Sequence, residues 1–67
     1  MQTPSQSQIK DSEGRFYLIR SESYNGRSTA KIEWIVAEKL ADRIWRRVRE
    51  FTRKSDAQEW LYICAKV

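Results

Sequence analysis

GRFYLIRSESYNGRSTAKIEWIVAEKL, residues 14–40, decides the fold. Arg15–Ser23 and Thr29–Ala37 are rich in Ile, Tyr, Phe and Trp, residues that suit a pleated, half-buried surface. Between them stands Asn25-Gly26. A two-residue type I′ turn prefers this pair, because both central residues need positive φ. That turn places Tyr24 opposite Arg27, Ile19 opposite Ile32 and Tyr17 opposite Trp34, with Val36 on the same side of the ribbon. Phe16, Leu18, Arg20, Lys31, Glu33 and Ile35 fall on the other side. A slip of one residue would mix the two sets.

Working outward, a third strand is expected over Arg43–Phe51 after a short loop around Lys39–Asp42. Its alternation brings Ile44 and Val48 to the side of Ile32, Trp34 and Val36, and sends Trp45, Arg47, Arg49 and Phe51 to the other. A helix follows. Ser55 with Gln58 three residues later forms a capping-box pattern, and Asp56 and Glu59 sit where the helix dipole favours negative charge. Ala57, Trp60, Leu61 and Cys64 recur at i, i+3, i+4 and i+7, an apolar stripe that should cover one face of the sheet. The expected fold is α+β: a three-stranded antiparallel sheet packed against one C-terminal helix, in the order β-β-β-α. Residues 1–13 read as a flexible polar tail and 14–67 as the single domain.

The 67 residues leave room for one core. A domain this small buries only ~60% of its unfolded surface, so each large apolar residue is a core candidate first. One cysteine and no histidine exclude an internal disulfide and a small metal cluster. No metal, no cofactor and no catalytic residues are expected. Without a histidine, a phosphate loop or room for a cleft, the chain reads as a non-enzyme. No stretch reaches the ~20 apolar residues of a membrane span, and the first ten residues lack a signal-peptide core. A soluble cytoplasmic protein with no membrane partner is the expectation.

Thirteen basic residues stand against nine acidic ones, for a net charge of +4. The excess is local. RIWRRVREFTRK, residues 43–54, holds Arg43, Arg46, Arg47, Arg49, Arg53 and Lys54 against Glu50 alone. Such a cluster is the footprint of a nucleic-acid binder. It is also compatible with a solvated strand edge that deters aggregation, with Glu33, Glu38 and Glu50 as cross-strand partners. With one face sealed by the helix, the other carries Arg20, Lys31, Arg47 and Arg49 with Phe16, Trp45 and Ile35 between them. Exposed apolar side chains in that number call for a covering partner. A nucleic acid fits, because each Lys or Arg that neutralises a phosphate releases condensed counterions, and Arg reads guanine edges bidentately in the major groove. Double-stranded DNA is preferred over RNA. The nucleic-acid-binding set is Arg20, Lys31, Trp45, Arg47, Arg49, Arg53 and Lys54. An acidic protein surface is the alternative partner, and a homodimer through the same face is a further one.

FTRKSDAQEWL, residues 51–61, resembles the strand end and helix start of the small arm-type DNA-binding domains of phage and transposon tyrosine integrases, through Phe51, Asp56-Ala57 and Trp60-Leu61. Plant ethylene-response-factor domains are similar. The resemblance implies a three-stranded sheet backed by a helix, with the open sheet face entering the major groove through Arg20, Lys31, Arg47 and Arg49. It also implies a phage or mobile-element setting. Strands one and two carry fewer basic residues than that family, and no catalytic domain follows. In size and style the chain is also similar to small phage-encoded inhibitors, some anti-CRISPR proteins among them, which act by covering another protein's surface. A protein-interaction module of that kind, or an assembly factor, is the alternative function.

Overall fold

The structure is a computed structural model and describes residues 3–24, 26 and 30–65. Four strands and a helix follow one another: β1 (Ile9–Glu13), β2 (Phe16–Tyr24), β3 (Ala30–Ala41), β4 (Ile44–Phe51) and α1 (Lys54–Ile63). The strands form one antiparallel sheet in chain order, β1-β2-β3-β4. The α+β class with one C-terminal helix is as expected, but the sheet has four strands and not three.

The extra strand lies within the segment read as a polar tail. Glu13 pairs with Phe16 across a two-residue turn, and Gly14 takes φ 61°, a conformation that costs glycine little. Ile9 faces Ile19 beyond a bulge, and the Gln8 carbonyl accepts from the Arg20 amide at 2.8 Å. A short polar edge strand with one large apolar residue resembles a tail in composition. What makes it a strand is the free edge of β2.

The β2–β3 register also differs from expectation. Tyr24 pairs with Ala30, Ile19 with Ile35 and Leu18 with Val36. Of the Asn25-Gly26 turn only Gly26 is described, at φ 71°; Asn25 lies outside the described residues. The physical reason for the observed register is burial. The turn-dictated register would have set Leu18 against Glu33, whereas here Leu18-Ile19 lies against Ile35-Val36, and all four are buried. Burying each such side chain is worth about 1.5–3 kcal/mol, more than one turn preference supplies.

Each face therefore has its own cluster. On the helix side, Leu18, Val36, Ala57 and Leu61 are fully buried, with Phe16, Trp34, Phe51 and Trp60 packed around them. On the other side Ile19, Ile35, Ala37 and Trp45 form a second cluster with Ile9 and Tyr17. The Trp45 and Tyr17 rings meet edge-to-face, centroids 5.0 Å apart. The expectation of a bare apolar face is corrected: Ile35 and Trp45 are buried within the molecule, and Ile9 and Tyr17 beside them are partly so.

In β4 a bulge decides which way the arginines point. Arg49 pairs with Val36 and Arg47 with Ala37, so Val48 has no opposite number. The extra residue puts Arg49 and Phe51 on the helix side and Arg47 and Trp45 on the other. The helix begins at Lys54 with Arg53 as N-cap and no side-chain cap bond. Ser55 lies inside it, so the expected Ser55–Gln58 capping box is not formed. Cys64 stands just past the last helical residue and is exposed, not buried as the stripe implied. Ala57 and Leu61 alone face squarely into the core.

Candidate nucleic-acid interface

The residues expected to share one binding face divide between two. Lys31 and Arg47 belong to the face of Ile19 and Ile35. Arg20, across from Trp34, and Arg49, across from Val36, belong to the helix side. The flat groove-reading platform implied by the integrase resemblance is therefore not assembled from these four. Trp45 is corrected too. It is only 8% exposed and belongs to the core, so its ring offers no free face to a base.

Several of the cations are held by acids. Arg20 Nη1 lies 3.1 Å from Glu22 Oε2, and Lys31 Nζ lies 3.2 Å from Glu33 Oε1. Glu22 also accepts from the Tyr24 hydroxyl at 2.6 Å. That hydrogen bond, with the Arg20 guanidinium beside it, holds the Glu22 carboxyl below its ordinary value and raises the Tyr24 phenol above its own. Arg20 is thus tied to acids within β2 and Lys31 within β3, on opposite faces of the sheet.

β4 and the start of α1 are different. Arg43, Arg46, Arg47, Arg49, Arg53 and Lys54 are all exposed, while Trp45 between them turns inward. β4 is the sheet's edge strand, with Arg46 and Arg49 on its helix side and Arg47 on the other. Arg46 donates to Glu38 at 2.7 Å, and Arg47 pairs with Glu50. Arg43, Arg49, Arg53 and Lys54 have no ion pair among the described residues. Two of them are steadied by rings: the Arg49 guanidinium sits 5.3 Å from the Phe51 centroid, and Lys54 Nζ 5.6 Å from that of Trp34. Stacking of this kind orients a cation without neutralising it. The Trp34 ring is thus engaged by Lys54, while Arg46 is bound to Glu38.

No family model, characterised protein or solved structure matches the chain. The site is therefore argued from its own geometry. Arg43 and Arg46, outside the expected set, stand on the same rim as Arg47 and Arg49. Their signal was in the sequence, as members of the 43–54 run. It was missed because strand alternation was used to select a face, and an edge strand presents both. Among the described residues no group of three or more metal-ligating side chains converges, and no helix is long and apolar enough to cross a membrane.

Proposed function

We propose that the protein binds a nucleic acid, double-stranded DNA foremost, along the β4 rim and the start of α1. The observation that carries this reading is the solvent-facing set Arg43, Arg46, Arg47, Arg49, Arg53 and Lys54 on edge strand β4, the turn before it and the helix start after it, with four of its cations free of acidic partners among the described residues. A rim with cations on two sides suits phosphate oxygens, which carry charge but no sequence information. Recognition is then mainly of the backbone, with little base reading. Trp45 takes no part, and Arg20 and Lys31 are peripheral. The phage or mobile-element setting remains part of the proposal.

Fluorescence anisotropy with labelled duplex DNA over a salt series tests it. Neutralising four to six phosphates gives a slope of log K against log salt of about −4 to −5. Arg43→Ala and Arg49→Ala should each weaken binding and flatten the slope by about one, while Lys31→Ala leaves it unchanged. Absence of binding at low salt ends the proposal.

A second reading, a protein-interaction module of the small-inhibitor type, is favoured by the β3–β4 tip. Leu40 and Ile44 are 52% and 58% exposed there, and a nucleic acid has no use for them. Under that reading Leu40→Ser would impair binding to a protein while leaving stability intact.

A further inference from the structure

The apolar residues of α1 do not all serve the core. Asp56, Glu59, Trp60, Ile63 and Cys64 recur at i, i+3, i+4, i+7 and i+8, which places them on one side of the helix. That side borders the end of β4, and with Phe51 these residues line a groove of about 330 Å³. Its apolar wall is open to water: Ile63 is 60% exposed and Cys64 is exposed, while Phe51 and Trp60 are half-buried. The charge at the groove runs against the rest of the chain. Asp56 and Glu59 have no ion pair among the described residues, in a protein of net charge +4. A nucleic acid would meet two carboxylates here. A segment with a bulky apolar side chain beside a Lys or Arg meets its complement in both respects.

We propose that this groove seats a short peptide segment of a partner protein, with an aliphatic or aromatic side chain against Trp60, Ile63 and Phe51 and a neighbouring cation on Asp56 and Glu59. The inference does not rest on the nucleic-acid reading, since it uses the carboxylates Asp56 and Glu59 and not the cations of the rim, although the groove adjoins that rim at Phe51, whose ring carries the Arg49 guanidinium.

The test is an NMR titration of the labelled protein with two synthetic peptides, one alternating leucine with lysine and one alternating leucine with glutamate. The leucine–lysine peptide should shift the Trp60 indole and Ile63 amide signals saturably, and bind about tenfold more tightly than its acidic counterpart, a margin of one decade in Kd. The Ile63→Asp variant separates seating from plain charge attraction. It adds a negative charge, so a purely electrostatic contact would strengthen, whereas a seated side chain would be lost. Asp56→Lys with Glu59→Lys changes only exposed positions and should reverse the peptide preference. Equal affinity for both peptides, no saturable shift at Trp60, or tighter binding by Ile63→Asp would overturn the proposal. So would groove signals that move with protein concentration alone, which would assign the groove to a second copy.

Discussion

Glu38 offers the sharpest test of how this sheet is held. The residue is 3% exposed, yet its carboxylate is gripped by two guanidinium groups that are themselves largely in water. Arg15 Nε and Arg46 Nη2 each lie 2.7 Å from one of its oxygens. Removing either arginine should be inexpensive. The remaining partner still compensates the charge, and the lost bond is discounted because its donor is solvated, so about 1 kcal/mol is expected from each of Arg15→Ala and Arg46→Ala. Removing both leaves a buried carboxylate without a partner, which costs about 3–5 kcal/mol. The double variant should therefore lose ~1–3 kcal/mol more than the two single losses combined. A domain of this length has only about 3–10 kcal/mol to lose, so the effect will be plain in urea unfolding followed by tryptophan fluorescence, with the slope m checked for constancy. Adding Glu38→Gln to the double variant should restore part of the loss, because a neutral amide is cheaper to bury unpaired than a carboxylate. Additivity of the two single substitutions, or no recovery from Glu38→Gln, would refute the reasoning.

Other expectations follow from the same geometry. Trp45→Ala should cost about 3–5 kcal/mol of stability or prevent folding, because the ring is core; a variant that stays fully stable yet loses DNA binding would return Trp45 to the interface. Deleting Val48 should remove the bulge and let Arg49 and Arg47 follow one another opposite Val36 and Ala37, with faces unchanged and only about 1 kcal/mol of partial burial lost; circular dichroism and urea midpoints would check this. Glu22 should titrate below its ordinary value of 4.5 because of the Tyr24 hydrogen bond and then Arg20. Its contribution is thus present above that value and fades as pH falls through the lowered one, and in Tyr24→Phe an NMR titration should show its midpoint moving back up. Conversely Tyr24 should titrate above 10.0 because of Glu22. That contribution is complete below 10.0 and is lost as pH rises through the raised value.

By itself the sequence determined the class of the fold and the location of its charge. Runs of β-branched and aromatic residues could only be strands, the Ala57–Leu61 spacing could only be a helix laid on them, and the 43–54 run had to be a basic surface. These are local properties, fixed by propensity and periodicity over a few residues. Which face each side chain occupies was left to the tertiary structure, because a strand's alternation is reversed by a single bulge or an odd shift of register. The pairing of Leu18-Ile19 with Ile35-Val36 outweighed the Asn25-Gly26 turn signal, and the unopposed Val48 sent Arg47 and Arg49 to opposite sides. Likewise the chain before Gly14 became β1 because β2 had an unpaired edge to fill, which its polar composition did not announce. The candidate interface thus moved from a sheet face to a sheet rim: the arginines were legible along the chain, but their directions depended on contacts between residues distant in sequence.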